Sequence, residues 1–115
     1  MDKITFVEFK QIMSLDLNKK IDPCIEINFY VDGCLQYEDS WLGKMIDRDT
    51  KRDVYWFGLT YGGLEAYEFD SFEKFVDAKV FYGSKSLKEI WNLISITSLG
   101  GGSVEEMLPY FLGIE

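Results

Sequence analysis

A chain of 115 residues is long enough for one hydrophobic core and too short for two, so a single domain spanning residues 1–115 is expected. With 20 acidic against 12 basic side chains and a net charge of −8, a nucleic-acid backbone or an anionic membrane is repelled and a basic protein is attracted. The absence of histidine removes the commonest general base near neutral pH and every Ser-His or Cys-His nucleophile system.

The chain opens on a helix signal. Thr5 and Glu8 have the spacing of a capping box, in which each side chain takes up a free backbone N–H of the other residue, and Phe6, Phe9, Ile12 and Met13 follow near helical spacing. Lys19, Lys20 and Pro23 close this segment. The first residues carry Asp2 and Glu8 where an export signal needs a basic flank and an uninterrupted apolar run, so no export signal is expected.

Residues 24–31 alternate, with Ile25, Ile27, Phe29 and Val31 on one face and Glu26, Asn28 and Tyr30 on the other, as in a half-buried strand. A two-residue loop at Asp32-Gly33 would pair Ile27 with Glu38 and Phe29 with Gln36, mixing apolar and polar groups on one face. A loop of Val31-Asp32-Gly33 pairs Phe29 with Leu35 and Ile27 with Tyr37 instead, and is the expected register. The second strand then runs through Tyr37 to Trp41 and, after a break at Gly43, to Ile46. Residues 47–53 form a charged turn. Residues 54–60, rich in β-branched and aromatic side chains, make the third strand, and Tyr61-Gly62-Gly63 turns it into a fourth at 64–69. Gly58, lacking a side chain, is expected to lie under a ring such as Tyr67.

Three further capping-box pairs, Asp70 with Glu73, Ser86 with Glu89 and Ser103 with Glu106, predict helices over 71–78, 86–92 and 103–111. Pro109 falls inside the last and is expected to kink or shorten it. Residues 93–96 are a candidate fifth strand. The predicted class is therefore α+β: an N-terminal helix, a four-stranded antiparallel meander, then short helices with a fifth strand, packed on one face of the sheet. The longest uncharged stretch, 90–104, contains Asn92, Thr97 and several serines and glycines, so it does not make a membrane span.

The stretch Tyr82-Gly83-Ser84-Lys85-Ser86-Leu87-Lys88-Glu89-Ile90-Trp91 resembles the part of the barstar family of ribonuclease inhibitors where a Tyr-Gly turn leads into a helix bearing Leu and Trp. The likeness is confined to this stretch. The inhibitory acids which that family carries on this helix would fall at Lys88 and Asn92, so its binding mechanism does not carry over.

Cys24 and Cys34 flank the first strand. In the expected hairpin they lie roughly 20 Å apart at ~3.3 Å per residue, beyond the ~7 Å a disulfide spans, so two reduced thiols in a cytoplasmic protein are expected. Two thiols without histidine leave the usual zinc ligand sets unfilled. Asp47 and Asp49 begin a D-x-D pattern, but Lys51, Arg52 and Gly58 stand where a calcium loop needs a ligand, a glycine and a glutamate. Gly83-Ser84-Lys85-Ser86 lacks the upstream glycine of a phosphate loop, which is Ala78 here. Glu8, Glu73, Glu89, Glu105 and Glu106 sit in first helical turns, where capping and the helix dipole account for them. No catalytic, cofactor or metal site is expected.

What remains is a group of rings beside acids in the sheet region: Tyr37, Glu38, Asp39, Trp41, Tyr61, Glu65, Tyr67 and Glu68, with Tyr55 and Trp56 nearby. Rings supply anchors with little lost entropy and carboxylates steer a basic partner, so these eight are the expected partner-binding residues. The competing reading assigns most of the rings to the core. The leading functional expectation is a non-enzymatic protein-binding domain of the bacterial immunity type, neutralising a basic, nuclease-like toxin. The alternatives are a homodimeric structural or adaptor subunit, separated by mass in solution, and a small-molecule binder or carboxylate-dependent enzyme, which needs a concave apolar pocket with convergent polar groups.

Overall fold

A computed structural model describes residues 4–17 and 24–113; the expected close of the first segment at Lys19, Lys20 and Pro23 lies outside the described residues. Helix α1, Phe6–Met13, starts on the Thr5–Glu8 capping box: Glu8 N donates to Thr5 Oγ1 at 3.1 Å and Thr5 N to Glu8 Oε1 at 2.9 Å. Strands β1 (Cys24–Val31), β2 (Ser40–Ile46), β3 (Asp53–Leu59), β4 (Glu65–Phe69) and β5 (Ile94–Leu99) form one antiparallel sheet in the order β4-β3-β2-β1-β5. Helices α2 (Phe72–Asp77) and α3 (Val104–Leu112) complete an α+β fold in which the meander and the fifth strand are both present. No helix of the described residues is long and apolar enough to cross a membrane.

The aromatic content is spent mainly on the core. Ile25, Ile27, Phe29 and Val31 of β1, Leu42 of β2 and Tyr55, Phe57 and Leu59 of β3 meet Phe9, Ile12 and Met13 of α1 and Phe75 and Val76 of α2 in one apolar cluster. Phe57 stacks on Phe75 with ring centroids 4.4 Å apart, Phe9 meets Trp91 at 4.5 Å, and Phe81 touches Phe29, Tyr37 and Phe57. Such ring pairs add about 0.5–1.5 kcal/mol each beyond the area they bury.

Among the described residues Lys44 is the one charged residue in this interior, 2% exposed on the helix side of β2. Its ammonium donates to Met13 O at 2.9 Å and Leu15 O at 2.8 Å, and pairs with Asp53 at 3.5 Å. Met13 O ends α1 at the negative end of its dipole and Leu15 O lies just beyond it, so a lysine reaching across from the sheet satisfies both.

The expected β1–β2 register is wrong. The ladder pairs Phe29 with Ser40 and Ile27 with Leu42, not with Leu35 and Tyr37. Leu35–Tyr37 form one turn of 3-10 helix, with Leu35 81% exposed and Tyr37 dropped into the core, where its hydroxyl accepts from Tyr82 N at 3.0 Å. The three-residue loop would have brought β1 to its end opposite Ser40, leaving Trp41–Ile46 without β1 as a partner; the longer connection pairs Cys24 through Phe29 along β2.

β2 also runs through Gly43 without a break. Gly43 stands opposite Trp56, and a Cβ there would lie 2.6 Å from the indole and 2.0 Å from Ile25 O. The ring-over-glycine arrangement expected for Gly58 and Tyr67 thus occurs at Gly43 and Trp56; Gly58 faces Gly63 instead.

The capping pairs fare unequally. α2 is capped by Ser71, whose hydroxyl accepts from Lys74 N at 3.2 Å, while Asp70 forms an ion pair with Lys74 at 2.9 Å. Ser86 and Glu89 exchange both hydrogen bonds, at 3.1 and 3.2 Å, yet no helix follows over 86–92. The chain makes one turn and a 3-10 segment, Trp91–Leu93, because Trp91 Nε1 is drawn to Ile4 O and Leu93 O accepts from Asp32 N, which starts β5 beside β1. The helix implied by the barstar likeness is therefore missing. α3 starts at the Ser103 cap and continues past Pro109 to Leu112, so the proline does not shorten it.

Candidate functional site

Helices cover one face of the sheet, and strand parity decides which side chains face away from them. Glu26 of β1, Gly43 of β2, Trp56 of β3 and Glu68 of β4 lie in register across four strands on the uncovered face. The next row holds Asn28, Trp41, Gly58 and Ala66. An uncovered antiparallel face ordinarily alternates to polar residues. Here β2 and β3 place half-buried Trp41, Met45, Val54 and Trp56 outward, flanked by exposed Glu26 and Glu68. The Trp56 indole lies across Gly43 with a carboxylate on each side, the two acids about 14 Å apart at ~4.8 Å per strand.

At one end of this face two loops are tied together. Asn28 Nδ2 donates to Asp39 Oδ1 at 2.9 Å, Gly62 N to Asp39 O at 2.8 Å and Thr60 N to Ser40 Oγ at 3.2 Å. The β3–β4 turn contains four successive left-handed residues: Thr60 (φ 61°), Tyr61 (φ 43°), Gly62 (φ 82°) and Gly63 (φ 104°). Glycine adopts this conformation freely, but Thr60 and Tyr61 each cost on the order of 1 kcal/mol or more. The turn holds Tyr61 and Leu64 in solvent, 70% and 76% exposed, beside exposed Glu38, Asp39 and Glu65.

The eight expected residues therefore separate into three places. Glu38, Asp39, Tyr61 and Glu65 gather at the joined loops. Trp41 and Glu68 lie on the open face. Tyr37 is only 2% exposed, and Tyr67, opposite Phe57, is half-buried on the helix side. Burial, and then the adjacent Glu65 carboxylate, push the Tyr67 phenol above its ordinary 10.0, so it stays a neutral donor at neutral pH. Tyr37 and Tyr67 thus lie off the open face. Glu26, Met45 and Val54 belong to the open face and were missed, and Trp56, named only as a neighbour of the expected residues, lies at its centre; the period-two alternation that put Glu26 on the polar side of β1 would have found them once the strand pairing was known.

Catalytic geometry is weak by comparison. A cavity of about 730 Å³ opens between the end of α1 and the β3 and β4 ends, lined by Lys10, Lys44, Arg52, Asp53, Tyr55 and Glu73 among others. Its deepest charge, Lys44, is committed to Met13, Leu15 and Asp53, and the rest of the lining mixes basic and acidic side chains. Among the described residues no cluster of three or more His, Cys, Asp or Glu side chains could hold a metal ion, and Cys24 and Cys34 are not joined in a disulfide. Comparison of the chain with models of protein families, with curated proteins and with solved structures found no match.

Proposed function

We propose that this chain is a non-enzymatic protein-binding domain that holds a basic protein on the open face of its sheet, in the manner of a bacterial immunity protein neutralising a nuclease-like toxin. The observation that carries this reading is the row Glu26, Trp56, Glu68, in which an indole seated on Gly43 has a carboxylate on either side. A lysine or arginine laid over that indole gains a cation–π contact and two charge partners at once. The strained turn that keeps Tyr61 in solvent supplies a second, pre-positioned ring beside Asp39 and Glu65. A reducing, cytoplasmic setting fits two cysteines, Cys24 and Cys34, that form no disulfide.

Affinity capture from the native host tests the proposal, with sequencing of the co-purifying protein and of the adjacent open reading frame. The wild-type chain should recover a basic protein that the Glu26→Lys/Glu68→Lys variant does not. If no basic partner is recovered and the adjacent frame encodes no toxin, the reading is abandoned. The outward Trp41, Met45, Val54 and Trp56 also favour a homodimer, which the charge of −8 on each copy opposes; a strict monomer at micromolar concentration removes that second reading.

A further inference from the structure

The sheet has two edges, and they are built differently. β5 carries no charged residue, its pairing with β1 shifts register at Asn28/Phe29, and α3 packs against it. β4 forms the other edge, pairs with β3 in unbroken register from Glu65 to Phe69, and has no strand on its outer side among the described residues. Natural edges are usually blunted by charged side chains, lysine above all, by proline, a bulge or a covering element. β4 has no lysine, proline or bulge, and its charges are the acids Glu65 and Glu68, which guard it against a second acidic copy and leave it open to a basic segment. In an antiparallel ladder every second residue turns its N–H and C=O away from its partner, so β4 offers a hydrogen-bonding edge lined by acids. Glu68 stands opposite Trp56 on the open face, which continues the proposed surface up to this edge. The one nearby cation on α2, Lys74, is held by Asp70.

We propose that the outer edge of β4 takes up an extended basic segment of the partner as a sixth strand, with main-chain hydrogen bonds along 65–69 and alternate lysine or arginine side chains meeting Glu68 and the Trp56 row. This rests on the reading of the chain as a binder of basic proteins and names the form in which the partner is held. Main-chain pairing supplies affinity in such complexes, and alternate side chains supply specificity.

The test uses an acetylated, amidated octapeptide of alternating lysine and valine, titrated into the ¹⁵N-labelled protein at low salt. The expected result is amide shifts and slowed amide exchange centred on 65–69. N-methylation of alternate peptide residues on the strand-facing side removes two or more hydrogen bonds and should weaken binding about tenfold or more. The exposed substitution Glu68→Lys should weaken it about tenfold. Equal binding of the N-methylated peptide, or shifts confined to Glu26, Trp41 and Trp56, overturns the sixth strand while leaving capture on the open face intact. No binding of the peptide at low salt overturns it as well. Dimerisation through the same β4 amides in the absence of peptide assigns the edge to a second copy and likewise overturns it. Failure of the underlying reading shows separately, as partner capture that is indifferent to Glu26→Lys/Glu68→Lys.

Discussion

The two faces of the sheet carry the same side-chain types in opposite settings. On the covered face, rings interlock at 4.4–4.5 Å in Phe57–Phe75 and Phe9–Trp91, and a single buried lysine is fully occupied in capping a helix. On the open face, Trp41 and Trp56 lie half-buried with exposed carboxylates around them and nothing above them among the described residues. Aromatic composition alone therefore says little. A ring's strand parity decides whether it stabilises the fold or is available to another molecule, and the comparison is sharpest when one residue from each face is changed.

The largest effect is expected at Phe75, fully buried against Phe57, Phe9 and Tyr55. Phe75→Ala should lower the unfolding free energy by about 3–5 kcal/mol in urea titrations. Next is Lys44→Met, which keeps the stem but leaves Met13 O and Leu15 O without their donor; a loss of about 1–3 kcal/mol is expected, with α1 amides exchanging faster. A loss smaller than for an exposed lysine would show that Lys44 does not anchor the helix. On the open face, Trp41→Ala should stay within ~1 kcal/mol of wild type in stability while weakening the partner complex, and Glu38→Lys, at the joined loops beside it, should do the same with less effect on stability. Collapse of Trp41→Ala would move Trp41 into the core and erase the distinction between the faces.

The smallest effect concerns pH. Glu89 is held down to about 2 from 4.5, first by the Lys79 ammonium and then by Ser86 N–H. Because its folded value lies below the unfolded one, its contribution to stability is present above about 4.5 and fades as pH falls towards 2. Lys79→Met should bring the Glu89 value measured by NMR titration back towards 4.5 and flatten stability against pH in that window. An unchanged titration would mean that Lys79 is not the main cause.

Much of the fold was legible because the signals were local. The alternation of Ile25 to Val31 and the Thr5–Glu8 pair each needed only neighbours to act, and both elements formed where the residues asked for them. The β1–β2 register was not legible, because Tyr37 is fixed by Tyr82 N, 45 residues away, and a loop length chosen on local pairing could not include that contact. Residues 86–92 show the same conflict: the capping hydrogen bonds form, but long-range bonds to Ile4 and Asp32 pull the chain out of the helix. The candidate site was half legible. Its acids were visible as composition, while the separation of Trp41 from Tyr67 depended on the register.

The central claim, that the open face serves a partner and the covered face serves the fold, is tested most directly by one paired measurement on Glu26→Lys/Glu68→Lys. Both positions are exposed, so urea unfolding should stay within ~0.5 kcal/mol of wild type. Calorimetric titration against the basic partner recovered from the host should show binding to the wild-type chain and none to the variant. Undiminished binding by a folded variant would contradict the account.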